Sequence, residues 1–170
     1  HSAGSALTDA DSNVAIGDRA LLTDTLGSDS IAIGRNALFA QNFTTATSSY
    51  NVAIGRDAGA EITTGVRNVV VGSLAADNLE DADDNAVLGD NALGSDTLGS
   101  KSTAVGYRTL ANQNFITSTD SHNTAIGNQA APALTTGIRN VAIGSAALQS
   151  EEGVAVECHH FSPNDDNLPH

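Results

Sequence analysis

Eight copies of one short phrase limit what this chain can fold into. Asn-Val-Ala-Ile-Gly stands at Asn13 to Gly17, at Asn51 to Gly55 and at Asn140 to Gly144. Looser copies run from Ser30 to Gly34, Asn68 to Gly72, Asn85 to Gly89, Ser102 to Gly106 and Asn123 to Gly127. The closing glycines are separated by 17, 21, 17, 17, 17, 21 and 17 residues. So fixed a period marks a stacked repeat, in which each unit buries its apolar side only against its neighbours.

Within the phrase, residue types recur by position. The fourth residue is always Ile, Val or Leu, the third Ala or Val, and the second Val, Ile, Ala or Thr. A short β-branched run closed by Gly reads as a strand buried on both faces. The Gly serves the corner after it, since φ > 0 costs it no Cβ clash. The opening Asn suits the other corner: it tolerates the left-handed region and can bond its own backbone or the Asn one coil along. Three residues past the Gly comes a second motif, Ala20-Leu21, Ala37-Leu38, Ala92-Leu93, Thr109-Leu110 and Ala147-Leu148, with weaker forms elsewhere. It reads as a second, less buried strand, the alternative being one helical turn. The expected fold is thus all-β, a parallel β-roll or β-solenoid of about eight coils, roughly 40 Å long at about 4.8 Å per coil.

The repeat is itself duplicated. An offset of 72 aligns Asp24-Thr-Leu-Gly-Ser28 with Asp96 to Ser100, Gln41-Asn-Phe43 with Gln113 to Phe115, and Thr63 to Asn68 with Thr135 to Asn140. Residues 1–72 and 73–144 are the two blocks of a roll that spans 1–148. Residues 149–170 read as a cap or connector, with Val154 to Val156 as a last strand. The start at His1 without a methionine suggests a segment of a longer chain.

Composition agrees with a thin rod. Trp and Met are absent, and aromatics make up 4% of the chain, so its apolar material is mostly small aliphatic. Twenty acids against seven Lys and Arg give a net charge of −13, which repels nucleic acid and anionic lipid. The sequence has no apolar run long enough for membrane insertion. One face of each strand is left over in a roll this narrow, and the apolar stripe it forms points to self-association.

The Asn-x-Ala-Ile-Gly phrase followed by Ala-Leu resembles the head repeats of YadA-like trimeric autotransporter adhesins. It is similar, too, to the Asn-Thr-Ala-Ile-Gly and Thr-Thr-Gly repeats of phage tail-fibre and surface proteins that carry an endosialidase-type chaperone domain. The resemblance spans about 130 residues in eight coils. It implies a left-handed roll, a side-by-side homotrimer, and a non-enzymatic attachment fibre outside the cell, on a cell or virion surface, with a host glycan or protein as receptor. The 17-residue coil is longer than is usual in adhesin heads, and the tail-fibre branch fits the coil length and the Thr-Thr-Gly turns better. An architectural subunit of a self-assembling extracellular filament is the alternative. A polysaccharide-degrading β-helix ranks below both, since it needs clustered acids across neighbouring coils.

Candidate contact residues lie in the two lengthened coils: Phe43 and Tyr50 in the first, Phe115 and His122 in the second. A Phe folded back over the roll is the plainer reading of the two phenylalanines. Alternating oxygen ligands in Asp9, Asp11 and Asn13, and again in Asp81, Asp83 and Asn85, are a candidate calcium site; a solvated acidic turn is the simpler account. Cys158, His159 and His160, with His170, are a weaker candidate for a transition metal because adjacent ligands cannot close a compact tetrahedron. No nucleophile, base and orienting acid come together in the sequence, so no catalytic residue is assigned and no cofactor other than calcium is expected.

Overall fold

A computed structural model of the chain describes residues 2–149 and 159–161. Its strands in chain order are β1 (Val14–Ile16), β2 (Gly27–Ser28), β3 (Ile31–Ile33), β4 (Thr47–Ser48), β5 (Val52–Ile54), β6 (Val69–Val71), β7 (Ala86–Leu88), β8 (Gly99–Ser100), β9 (Thr103–Val105), β10 (Thr119–Asp120), β11 (Thr124–Ile126), β12 (Val141–Ile143) and β13 (His159–Phe161). The described residues contain no helix. The fold is all-β, a parallel β-solenoid of about eight turns. Nine strands form one sheet in the order β1-β3-β5-β6-β7-β9-β11-β12-β13, and every pairing in it is parallel. Ala15 lies beside Ala32, Ala32 beside Ala53, and Ala125 beside Ala142, so each phrase rests in register on its predecessor. Two small parallel pairs, β2 with β4 and β8 with β10, flank the two long coils. Val154 to Val156 lie outside the described residues, whereas β13 pairs with β12 as a ninth rung.

The strand is not buried on both faces within one chain. Only its middle residue points inward, as Ala32, Ala53, Val70, Val87, Ala104, Ala125 and Ala142 do. Side chains alternate along a strand, so the second and fourth residues of each phrase must point out. A coil this narrow has room for one of the two faces.

The Ala-Leu motif is neither a strand nor a helical turn. After each closing Gly the chain runs through turns in which every second residue is left-handed, as Arg19 (φ 57°) and Leu21 (φ 50°) are in the first coil. Left-handed backbone costs L residues about 1–2 kcal/mol each, and inter-coil bonds offset it: Asn36 N–H donates to the Asp18 carbonyl at 2.9 Å and Leu21 N–H to that of Ala37 at 2.9 Å. Far from being less buried, this segment supplies the core, with Ala20, Leu21, Ala37, Leu38, Ala92 and Leu93 wholly enclosed.

The core is filled by two schemes, each used in successive coils. Four coils place Leu21, Leu38, Leu93 and Leu110 inside and have the polar Asp24, Gln41, Asp96 and Gln113 three residues on. Where the first position is small, at Gly59, Ala76 and Ala131, the residue three further on is Ile62, Leu79 or Leu134, and it is buried instead. A β-carbon on Gly59 would approach the Ile62 Cδ1 to 2.8 Å, so that space is already taken. Close packing demands such compensation within each coil.

The eight closing glycines, Gly17, Gly34, Gly55, Gly72, Gly89, Gly106, Gly127 and Gly144, have φ between 125° and 144°. A β-carbon on Gly17 would lie 2.6 Å from the Gly34 carbonyl oxygen, so the stacking itself excludes any side chain there. At the opposite corner the expected left-handed Asn is not found. The residue before it takes that conformation instead: Ser12, Asp29, Tyr50, Arg67, Asp84, Lys101, His122 and Arg139 all have φ between 51° and 62°. This frees the Asn to turn inward.

Candidate functional site

Three features of the rod bear on function: an internal polar column, the lengthened coils and the outward strand face. The column starts from the Asn that opens each phrase. Asn51, Asn68, Asn85, Asn123 and Asn140 are buried, whereas Asn13 in the first coil is half-buried. Asn51 Oδ1 accepts from the Asn68 backbone N–H at 2.9 Å, and Asn68 Oδ1 accepts from that of Asn85 at 3.0 Å. The amide nitrogens of Asn51, Asn68, Asn85 and Asn123 each donate to a carbonyl fourteen residues on, those of Gly65, Ala82, Gly99 and Gly137, whereas Asn140 Nδ2 donates to the Ile138 carbonyl. Both ends of those four amides are thereby satisfied, as enclosure from water requires.

Ser30 and Ser102 interrupt the column, and the lengthened coils repair it. Gln41 Nε2 donates to Ser30 Oγ at 2.8 Å and to Asp24 Oδ2 at 2.6 Å, while its Oε1 accepts from Asn51 Nδ2. Gln113, Ser102, Asp96 and Asn123 repeat these bonds one block later. Asp24 Oδ1 also receives the backbone N–H groups of Gly27 and Phe43. The buried acid thus folds the long segment back on itself and brings its Phe along. Phe43 and Phe115 are 5% and 6% exposed, packed over Gly27 and Gly99. They are therefore not contact residues, because their rings cover the polar network. Tyr50, 57% exposed, and the exposed His122 remain on the surface at matching positions of the two blocks.

Burial pushes the Asp96 carboxyl above the usual carboxylate range; bonds from Gln113 and the Phe115 and Gly99 N–H groups oppose that shift without cancelling it. The folded protein holds this proton more tightly than the unfolded chain. Its contribution to stability is therefore full below the ordinary carboxylate pKa and is lost as pH rises through the raised folded value. Compared with Asp96→Asn, which cannot titrate there, the parent protein should lose relative stability in urea as pH rises above the ordinary carboxylate value of about 3.9. A relative stability that climbs with pH would contradict this.

The acidic turns do not assemble a cation site. Asn13 Oδ1 accepts from Ser30 N–H and Asn85 Oδ1 from Ser102 N–H, so both amides face into the rod, away from the acids. Asp81 Oδ1 takes the Thr64 hydroxyl and Asp83 Oδ1 the Val66 N–H, one coil back. Asp9 and Asp11 stand exposed. Among the described residues no three His, Cys, Asp or Glu side chains gather as a metal site. Asp81 and Asp83 serve as inter-coil acceptors instead. The side chains of Cys158, His159, His160 and His170 lie outside the described residues.

The outward strand face is the largest unexplained surface. The fourth residue of each phrase gives a column of Ile16, Ile33, Ile54, Val71, Leu88, Val105, Ile126 and Ile143, apolar at every coil. Ile16, Ile54, Leu88, Ile126 and Ile143 are 38–58% exposed. Beside it the second residue of each phrase adds Val14 and Val69, also largely open, with Thr103 and Thr124 further along. Stacking fixes these side chains one coil apart in a continuous stripe. The repeat made this stripe legible from sequence; the switch of Phe43 and Phe115 from loop to core was signalled only by the acid and amide conserved between the blocks, Asp24 with Gln41 and Asp96 with Gln113. No helix among the described residues is long and apolar enough to cross a membrane. Compared with family models, curated proteins and solved structures, the chain matches none.

Proposed function

We propose that the chain is a non-enzymatic rod segment of an attachment fibre at a cell or virion surface, working as a bundle of three copies. The observation that carries this reading is the apolar column Ile16 to Ile143, turned outward along the whole sheet. A soluble protein seldom leaves so long an apolar stripe in water. Three flat faces closed on a common axis hide it and leave no end to the association. The likeness to adhesin and tail-fibre repeats favours the same arrangement, and a rod of bonded coils suits a spacer that must bear load. The exposed Tyr50 and His122 are the contact residues that remain for a host glycan or protein.

Sedimentation velocity at micromolar concentration tests the bundle. The expected result is a single species of three chains that dissociates in Leu88→Glu, since a charge placed in a closed apolar seam costs several kcal/mol, about 3 or more. Leu88 is 50% exposed in the single chain, so the variant should still fold. A stable monomer would remove the basis of the proposal, and an open-ended polymer would favour a filament subunit. Binding to a glycan array by Tyr50→Ala and His122→Ala at parent level would exclude those two as contacts.

A further inference from the structure

Past the glycine corner, on the turn face and away from the apolar column, a cavity of about 300 Å3 spans the first four coils. Arg19, Asn36 and Asp57 enter it from the same position of successive coils, two residues after the closing Gly; Phe39, Glu61 and Asp77 complete the working surface. The volume falls at the lower end of the range for small-ligand sites, roughly 300–1,000 Å3. The lining is polar at one end and aromatic at the other.

Its charges are unevenly matched. Asp57 is fully engaged: Asn36 Nδ2 donates to it at 2.6 Å, and Arg35 and Arg56 lie 3.3 and 3.4 Å away. Glu61 and Asp77 take part in no salt bridge among the described residues. Two acceptors of the lining, Asn36 Oδ1 and Asp77 Oδ1, are shut off from solvent without any hydrogen-bond partner. An orphaned acceptor of this kind is costly to bury, because nothing replaces the water it has lost. Burial, reinforced by the charges of Asp57 and Glu61, raises the Asp77 carboxyl above its ordinary range, as expected where negative charge lacks a counter-ion. The guanidinium of Arg19 stands 5.6 Å from the centre of the Phe39 ring and forms the far wall.

The duplication supplies an internal control. At the positions equivalent to Arg19, Asn36, Phe39, Asp57, Glu61 and Asp77 the second block has Asn91, Arg108, Ala111, Gln129, Ala133 and Gln149. Yet the structural set Asp24, Gln41 and Phe43 returns unchanged as Asp96, Gln113 and Phe115. The coil frame therefore folds with neutral residues where the first block has three acids. What the fold does not require, and what leaves buried acceptors unsatisfied, calls for another explanation.

We infer that this cavity binds a compact organic ammonium group, such as a lysine side chain or an amino sugar carries. Its N–H groups meet the carboxylates of Asp77 and Glu61, and its carbon frame lies against Phe39. The inference stands on the cavity alone and does not depend on the attachment role or on the number of chains in the bundle.

Titration of the full chain with n-butylammonium and with glucosamine, followed by NMR shifts, tests it, with N-acetylglucosamine and n-butanol as neutral counterparts. At least one ammonium probe should bind with shifts centred on the first four coils, and the tighter of the two identifies the source. The neutral counterparts should bind at least about tenfold more weakly. Asp77→Asn should weaken the ammonium probe about tenfold, and Glu61→Gln, at an exposed position, should weaken it in the same direction. The inference is overturned if neutral and charged probes bind alike, if neither ammonium probe binds at tens of millimolar, or if both variants bind as the parent does.

Discussion

Gly72→Ala should destabilise the protein by about 4 kcal/mol or more, or prevent it from accumulating in soluble form. Gly72 has φ 142°, a region that L side chains rarely enter, and an added β-carbon would strike the carbonyl oxygen of Gly89 and lie 2.6 Å from its carbon. Both obstacles are main chain, so no rotamer change relieves the collision. That neighbour is also fixed from two sides, because Gly89 N–H donates to the Val71 carbonyl at 2.8 Å and Gly72 N–H to that of Ile54 at 2.8 Å. To admit a methyl group the coils must part and give up these bonds. Gly94→Ala is the matched control: its β-carbon would meet only the Asn91 side chain, at 3.3–3.4 Å, and the change should stay within about 0.5 kcal/mol. Urea unfolding of the two variants measures the contrast, and equal midpoints would show that the corner glycines do not set the stacking distance.

Asn68→Ala should cost roughly 3–5 kcal/mol even though it deletes few atoms. Truncation strips partners from groups that cannot reach water. The Asn85 backbone N–H loses its acceptor, and the Ala82 carbonyl loses a donor at 2.6 Å. Asn68 is 1% exposed, so no solvent replaces them. Asn13→Ala removes the same kind of bonds, to Gly27 and Ser30, at a half-buried site in the first coil, and should cost nearer 1 kcal/mol. The position in the column, rather than the residue type, sets the size of the effect. Similar losses from the two variants, read by thermal or urea denaturation, would mean that the column is not a continuous buried chain.

What the sequence made legible is what depends on chain spacing. Stacked parallel strands, the 17- and 21-residue coils and the outward stripe follow from the recurrence of Ile, Val and Leu at one position of the phrase. Asn-to-Asn bonding between coils was legible as well, because a buried amide repeated in register has few other partners. The left-handed corner was not. The residues that adopt it include Tyr50, Arg67 and Lys101, types with no preference for φ > 0, and they are held there by bonds such as Lys101 N–H to the Asp83 carbonyl at 2.9 Å. Tertiary pairing overrode local preference. The Ala-Leu segment failed for a related reason, since a run alternating between left- and right-handed residues has no composition of its own. Phe43 folds back over the roll as the plainer sequence reading had it, but its anchor, the buried Asp24, lies in the preceding coil and was not legible. The calcium candidate stayed open beside the simpler acidic turn because alternation of acids looks the same whether its oxygens converge on an ion or each serves a different rung.

The amide column also determines how such a rod can change in length. From Asn51 to Asn85 each Asn hands its oxygen to the residue 17 places along, and Asn68 and Asn85 take the same from behind. Excising one full turn between Asn51 and Asn85 therefore joins two broken ends that are already complementary, and neither notices the missing piece. Removing a single residue from a strand instead leaves mismatched ends and turns the outward row of Ile and Val against the interior. Such a molecule has a ruler inside it, marked only in whole turns, so its reach is adjusted by counting turns rather than by redesigning any of them.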